Sequence, residues 1–174
     1  EKYAEICKDE LKKSHLYHKS FNLKEVKPEY LNAQDYAEIC KDELRERHLH
    51  RRSFNLGEVK PEYLNAQDYA EICKSDIEND DNNVEIALKC VNPEYLSRKD
   101  YLEICNLSVE SVGSKLKWVQ PEYLDKEDYT EICKTAMERN SSNFNHVNPE
   151  YLDKQVYSEF CKLAIEDDDY NIEY

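Results

Sequence analysis

The sequence predicts an all-α fold, an α-solenoid of about five to six two-helix repeats of 28–33 residues each. Two observations predict it. Pro-Glu-Tyr-Leu recurs five times, starting at Pro28, Pro61, Pro93, Pro121 and Pro149. Tyr-x-Glu-[Ile/Phe]-Cys recurs six times, starting at Tyr3, Tyr36, Tyr69, Tyr101, Tyr129 and Tyr157. A period of this length is typical of stacked supersecondary units. We therefore expect a single repeat array over residues 1–174, with repeat cores starting at residues 3, 36, 69, 101, 129 and 157.

A helix-start signal precedes five of the six repeat cores. Asn32 is a good N-cap, and Asp35 three residues later completes a pair that resembles a capping box. The pattern recurs at Asn65/Asp68, Ser97/Asp100 and Asp125/Asp128. Apolar residues then follow at i, i+3, i+4 and i+8, which is one face of a helix. The acidic residues at i+7, Glu10, Glu43 and Asp76, are expected at the edge of the seam between helices.

A shorter apolar segment precedes each proline. In one copy it comprises Val84, Ala87, Leu88 and Val91, which also fits helical spacing. Proline favours the first helical position and ends the preceding helix, so Pro-Glu-Tyr-Leu is expected to form a single turn or the start of a short helix. Each repeat is therefore a long helix, a loop, a short helix and a proline turn.

Cysteine usage predicts buried thiols in a reducing compartment. Six of the seven cysteines occupy the same repeat position, and equivalent positions in a stack lie about 8–10 Å apart. That distance exceeds the reach of a disulfide. The sequence contains no Cys-x-x-Cys pair, no phosphate-binding glycine loop and no nucleophile elbow. We therefore expect no catalytic residue, no metal site, no cofactor and no enzymatic activity.

The net charge of -14 is concentrated in the C-terminal part. Residues 1–68 hold 13 Lys and Arg against 14 Asp and Glu, whereas residues 69–174 hold 11 against 24. An acidic surface repels nucleic acid and anionic membranes. The excess is typical of a solvated surface. The alternative interpretations are an acidic face for a basic partner and a mimic of a nucleic-acid backbone. The sequence contains no membrane-spanning run.

The basic residues of the first two repeats are the main candidates for binding. Residues 3–35 and 36–68 differ at only seven of 33 positions, and six of the seven differences fall in segments 12–19 and 45–52. Change concentrated there predicts exposure. Both segments are basic, which is typical of a solvated helix end or of a contact with phosphate, RNA or an acidic protein. The candidate binding residues in the second copy are Arg45, Arg47, His48, His50, Arg51 and Arg52.

Trp118 is the candidate aromatic anchor. It lies directly before Val119, at the position that other copies fill with Glu25, Glu58, Cys90 or His146. Tryptophan is enriched at binding hot spots. Packing beneath the neighbouring repeat is the alternative role for this side chain.

The repeats resemble the short Val-Asn-Pro-Glu-Tyr-Leu…Tyr-x-Glu-Ile-Cys repeats encoded by giant DNA viruses of amoebae. They are also similar to a repeat domain of unknown function from amoebal bacteria and viruses. The resemblance covers nearly the whole chain, although the first two copies are five residues longer than the short form. It implies an infection-related interaction protein in the cytoplasm, meaning the host cytoplasm, or in the virion if the protein is viral.

Three functions stay open at this stage. The first is a protein–protein interaction scaffold with a protein partner of unknown identity. The second is a structural or virion-associated component that self-associates, because Glu1 lies almost directly before a repeat core and an open end could stack. The third is a nucleic-acid contact through segments 12–19 and 45–52, against which the acidic balance argues.

Overall fold

The chain folds into α-helices joined by short 3-10 turns, and the described residues contain no β-strand. The computed structural model describes residues 2–17, 21–50, 52, 54–79 and 88–169. The chain divides into two compact units, Glu1–Ser97 and Arg98–Tyr174. Within each unit the same helical repeat recurs, which confirms the predicted all-α repeat class. That residues 1–174 form one continuous array stays a prediction.

The described part of the first unit contains three long helices. They are α1 (Lys2–Leu16), α2 (Ala33–Leu49) and α3 (Ala66–Asn79). Helix α1 packs against α2, and α2 packs against α3. The connecting chain forms 3-10 turns at Leu23–Glu25, Pro28–Tyr30, Leu56–Glu58, Pro61–Tyr63 and Pro93–Tyr95. Residues 88–90 are helical, whereas 84–87 of the predicted second segment lie outside the described residues.

The second unit repeats this plan with shorter connections. Its described helices are α4 (Arg98–Ser111), α5 (Lys126–Arg139) and α6 (Lys154–Asp169). Its 3-10 turns are Gly113–Trp118, Pro121–Tyr123, Ser141–His146 and Pro149–Tyr151. Helix α4 packs against α5, and α6 packs against the turn at Ser141–His146. In four of the described connections the predicted short second helix is a 3-10 turn, whereas residues 88–90 of the third repeat are α-helical. Each Pro-Glu-Tyr phrase forms a single 3-10 turn, one of the two predicted forms. None of the described helices is both long enough and apolar enough to cross a membrane.

The predicted caps are confirmed at α2 and α3. Asn32 Oδ1 accepts the backbone N–H of Asp35 at 2.8 Å, and Asn32 Nδ2 donates to the Asp35 carboxylate at 2.8 Å. Asn65 and Asp68 make the same pair of bonds at the start of α3. These bonds satisfy backbone donors that a helix N-terminus otherwise leaves unpaired.

Helix α5 begins differently from this prediction. Asp125 has the backbone conformation of an N-cap, but its side chain makes no capping bond. Its carboxylate forms an ion pair with Arg98 instead, and Arg98 Nη2 also donates to Asp128 Oδ2 at 2.7 Å. The carboxylates predicted to cap α5 therefore connect it to the start of α4.

A tyrosine hydroxyl fixes each described Pro-Glu-Tyr-Leu turn to the preceding helix. The hydroxyl of the first tyrosine of a repeat accepts the backbone N–H of the residue directly before the next proline. The bonds measure 2.8–3.0 Å and join Tyr3 to Lys27, Tyr36 to Lys60, Tyr69 to Asn92, Tyr101 to Gln120 and Tyr129 to Asn148. The tyrosine of the turn packs edge-on against this ring in three pairs, with centroids 5.9–6.2 Å apart. The bonded tyrosines therefore fix the turns, and four of them, Tyr36, Tyr69, Tyr101 and Tyr129, are buried in the core. The turn tyrosines Tyr30, Tyr63 and Tyr95 are exposed.

The repeat cysteines lie in the core beside these tyrosines. Cys40, Cys73, Cys105 and Cys133 have no exposed surface, and the cysteines of the described residues are free thiols. Burial raises the pKa of each of these four thiols to about 12, against a smaller lowering by the neighbouring tyrosine hydroxyl. They remain protonated at neutral pH, which makes them poor nucleophiles. The expectation of buried thiols at the repeat position is confirmed for these four and for Cys7, whereas Cys161 is only partly buried.

Candidate functional site

The two basic segments are largely helix ends rather than loops. Residues 12–16 form the last turns of α1, and residues 45–49 form the last turns of α2. Residues 18–20, 51 and 53 lie outside the described residues, so Arg51 has no structural description. Because a helix fixes which side chains share a face, the predicted binding residues separate into two groups with different surroundings.

Arg47 belongs to the packing of the first unit. Its Nε donates to Glu43 Oε1 at 2.5 Å, and its Nη2 donates to the backbone carbonyl of Phe21 at 3.1 Å. Arg47 therefore ties helix α2 to the chain that follows α1. A guanidinium suits this role because its donors form a rigid fork.

His48 also lies in a seam between helices. Its Nε2 is 3.6 Å from Asp76 Oδ1 of α3, and its side chain is 16% exposed. One repeat earlier, His15 Nε2 is 3.1 Å from Glu43 Oε2 of α2. Glu43 and Asp76 are 3% and 2% exposed, so the prediction that they lie at the seam edge was wrong. Buried carboxylates need a basic partner, and each has a histidine from the preceding helix.

The second unit shows why the histidine and the acid occur together. Ala136 of α5 stands where Glu43 and Asp76 stand in the first unit, and Gly113 stands where His15 and His48 stand. A Cβ on Gly113 would lie 3.0 Å from the Ala136 carbonyl oxygen and 2.4 Å from Asn143 Nδ2. Gly113 and Ala136 thus replace the histidine and the acid of the first unit, and the backbone at Gly113 lies close to helix α5.

Lysines join consecutive helices across the outer side of the same seams. Lys8 Nζ donates to Asp35 and to Glu38 at 2.7 Å each. Lys41 makes the equivalent bonds to Asp68 at 2.7 Å and to Glu71. Glu38 and Glu71 are exposed. Their charge is nevertheless matched by a lysine of the preceding repeat.

Arg45 belongs to the second group, which faces solvent. Its side chain is 73% exposed and pairs with Asp42 at 2.5 Å. An exposed ion pair of this kind contributes little to stability, so Arg45 can exchange it for a partner at small cost. Lys12 is exposed at the equivalent position of α1.

Two equivalent grooves lie beside these cations. One, of about 220 Å³ between α1 and α2, has Leu11 among its lining residues together with Lys12 and Arg45. The other, of about 210 Å³ between α2 and α3, is lined by Leu44, Ile72 and Arg45. Arg45 therefore lines both grooves, and the repeat places two similar depressions side by side.

Two exposed leucines lie at the ends of the same two helices, α1 and α2. Leu16 and Leu49 occupy equivalent positions and are 76% and 73% exposed. Each lies four residues after a cation on its own helix, Lys12 or Arg45, so each leucine shares a helix face with that cation. We call Lys12, Leu16, Arg45 and Leu49 the leucine–cation surface. Reasoning from the sequence singled out Arg45 but missed the leucines.

The sequence contains one observation that could have identified Leu16 and Leu49. Within segments 12–19 and 45–52, six of eight positions differ between the two copies. The two unchanged positions hold His15 or His48 and Leu16 or Leu49. The histidine faces a buried acid in both copies, which explains why it is kept. The exposed leucine has no such packing role.

The remaining candidates are placed as follows. His50 Nε2 lies 3.5 Å from Glu46 Oε2. Arg52 is exposed, and its backbone N–H donates to the Arg47 carbonyl at 2.8 Å. Both follow the last turn of α2 and border the leucine–cation surface in sequence.

Trp118 lies in the second unit, at the end of the turn Gly113–Trp118. The side chain is partly buried, its indole nitrogen is buried, and Lys117 Nζ lies 5.2 Å from the ring centroid. This placement resembles packing under the turn more than a free anchor. A role for Trp118 in binding stays a prediction.

The described residues contain no group of three or more His, Cys, Asp and Glu positioned to hold a metal ion. Comparisons of the chain with protein-family models, curated proteins and solved structures gave no significant match.

Proposed function

We propose that this chain is a non-enzymatic protein–protein interaction scaffold and that helices α1 to α3 carry its contact surface. The observation that supports the proposal is the pair of exposed leucines, Leu16 and Leu49, each sharing a helix face with a cation and lying beside a groove. Apolar side chains at the centre of a contact and arginine beside them are typical of protein interfaces.

The same surface favours a protein over a nucleic acid. Cations alone would serve a phosphate backbone equally well. Two exposed leucines gain free energy only when an apolar partner covers them. The nucleic-acid contact through segments 12–19 and 45–52 is therefore the weaker proposal.

We further propose the setting that the repeat resemblance implies. On that proposal the protein acts in the host cytoplasm or the virion of an amoeba-associated virus, and the partner is a protein of either organism. The resemblance of the Pro-Glu-Tyr-Leu and Tyr-x-Glu-Ile-Cys phrases is what supports this.

Affinity capture followed by mass spectrometry tests the proposal. The native chain is compared with an Arg45→Ser, Arg52→Ser variant, which leaves the structural Arg47 in place. Lys134→Ser serves as the matched control, because Lys134 is an exposed cation on α5 of the second unit. We expect a protein that is recovered with the native chain and the control and lost with the double variant. Equal recovery with all three chains would contradict a contact at this surface.

Self-association is a second candidate, supported by one face of α1. Ile6 is 50% exposed, whereas Ile39 and Ile72 at the equivalent position are fully buried. An adjoining groove of about 380 Å³ includes Ile6, Tyr3 and Phe21. On α2 the equivalent face is covered by α1. Sedimentation velocity of the native chain and Ile6→Ser tests this, since association through the face predicts native oligomers that the variant loses.

A further inference from the structure

We infer that the partner contacts the leucine–cation surface with an acidic, extended segment that carries an apolar side chain at every third residue. This inference rests on the proposed function and adds the chemistry and spacing of the partner.

The charge of the segment follows from the basic residues of the two segments that contain the leucine–cation surface. Segments 12–19 and 45–52 together hold seven Lys and Arg against one Glu. The first groove itself is lined by three Lys and Arg and three Asp and Glu, and among its cations Lys12 has no ion pair in the described part of the chain. An acidic segment complements this surface.

The apolar part of the segment follows from the leucines. Leu16 and Leu49 lie one repeat apart, and packed helices are about 8–10 Å apart. A partner that covers both leucines needs two apolar side chains on one side at that distance. A polyproline II segment rises about 3.1 Å per residue with three residues per turn, so residues i and i+3 point to the same side about 9 Å apart. The spacing of the repeats thus matches this conformation.

A partner helix fits the surface less well. Residues i and i+7 of a helix also lie about 10 Å apart on one side, but a helix with side chains is about 10–12 Å wide. The two grooves hold about 210 and 220 Å³ each, which is the scale of one or two side chains. The grooves therefore accept single side chains from an extended chain better than a helical cylinder.

The inference is tested with a defined probe. Fluorescence anisotropy measures the binding of a labelled peptide, Glu-Leu-Asp-Pro-Leu-Glu, whose leucines are three residues apart and whose proline favours the extended conformation. Three control peptides carry the two leucines side by side, serines in place of the leucines, or amides in place of the carboxylates. The 174-residue chain is compared with Leu16→Ser, Leu49→Ser and Arg45→Ser. Leu163→Ser is the matched control, since Leu163 is 52% exposed on α6.

We expect the probe to bind the native chain and Leu163→Ser equally, and each leucine variant about tenfold more weakly, the scale of losing one buried leucine contact. Arg45→Ser should weaken binding and reduce its dependence on salt. Each control peptide should bind about tenfold or more weakly than the probe. Circular dichroism verifies that the variants keep the native helix content.

Several results would overturn the inference. They are no binding of the probe, equal binding of the peptide with adjacent leucines, equal binding by the leucine variants, or tighter binding of an acidic helical peptide with leucines seven residues apart. Equal binding of a single-stranded RNA probe by the native chain and Leu49→Ser would assign the cations to nucleic acid. If affinity capture still finds a partner that the Arg45 and Arg52 variant loses, the proposed function survives and only the segment chemistry fails. If affinity capture also finds no such partner, both the proposed function and the inferred segment are contradicted.

Discussion

The hydroxyl oxygen of Tyr101 accepts the backbone N–H of Gln120 at 2.8 Å. This bond joins α4 to the residue directly before Pro121, and Tyr101 is only 1% exposed. Burial, followed by the electrostatic influence of Cys105, raises the pKa of the Tyr101 phenol well above its ordinary value. The hydroxyl therefore stays neutral and available for this bond at every ordinary pH. Four other described tyrosines make the equivalent bond, so it is a defining contact of the repeat.

Replacing Tyr101 with Phe should lower the free energy of unfolding by about 1–2 kcal/mol, because the backbone N–H of Gln120 loses its acceptor. Tyr17→Phe is the matched control, since Tyr17 is 71% exposed, and should change stability by less than about 0.5 kcal/mol. Urea denaturation followed by circular dichroism measures both. Equal midpoints for the two variants would show that the hydroxyl bond does not hold the turn.

Gly113 should tolerate no larger residue. A Cβ there would meet Asn143 Nδ2 at 2.4 Å, and that amide donates to the Ala136 carbonyl at 2.7 Å within the core. Gly113→Ala should therefore destabilise the chain by about 1–3 kcal/mol through overpacking. Gly57→Ala should cost less, because its nearest neighbours are side-chain atoms at 3.3 Å. Thermal unfolding compares the two variants, and a larger loss for Gly57→Ala would reverse this assignment.

Substitution by serine should lower the stability of the chain at Arg47 but hardly change it at Arg45. Arg47→Ser leaves the buried carboxylate of Glu43 with one partner fewer and removes the bond to the Phe21 carbonyl, so we expect a loss of about 1–3 kcal/mol. Arg45→Ser removes an exposed pair with Asp42 and should change stability by less than about 0.5 kcal/mol. Urea midpoints distinguish the two. Similar losses would mean that Arg45 also has a packing role, which would disqualify it as a probe of binding.

The buried thiols should make the fold sensitive to alkali. Burial raises the pKa of Cys133 from 9.0 to about 12, and Cys40, Cys73 and Cys105 behave alike. Above pH 9 the unfolded chain releases these protons while the folded chain keeps them. Stability is therefore complete below about pH 9 and falls as the pH rises towards about 12, by roughly 1.4 kcal/mol per thiol at about pH 10.

Urea midpoints at about pH 7.5, 9 and 10 measure this decline. Cys133→Ala should show a shallower decline than the native chain, because one titrating thiol is absent. An identical slope for the variant would assign the alkaline sensitivity to other groups.

The sequence predicts the repeat well because periodic signals act locally. The caps at Asn32 and Asn65, the single turn at each Pro-Glu-Tyr-Leu and the burial of the repeat cysteines all depend on neighbours within a few residues. The burial of Glu43 was not predicted, since it depends on His15 of another helix. The exposed carboxylate–arginine cluster at the start of α5 escaped prediction for the same reason.

The candidate surface could be predicted only in part. Positive charge and divergence between the copies indicated Arg45, but the same criteria also selected Arg47, and the basic segment around it included His48. Both of these side chains face buried acids. Charge alone does not tell which side of a helix faces solvent. Leu16 and Leu49 could have been found by asking which unchanged positions lack a packing partner, a question that requires the helix boundaries.

The central claim is that a partner protein contacts the leucine–cation surface of the first unit, and site-specific photocrosslinking tests it most directly. A photoreactive amino acid is placed at Leu49 in one chain and at Leu163 in a control chain, both exposed positions, and crosslinked proteins are recovered from cells that express each chain. The account predicts one predominant protein crosslinked from position 49, reproduced from position 16 and absent from position 163. The same crosslinks from positions 49 and 163, or none from position 49, would contradict it.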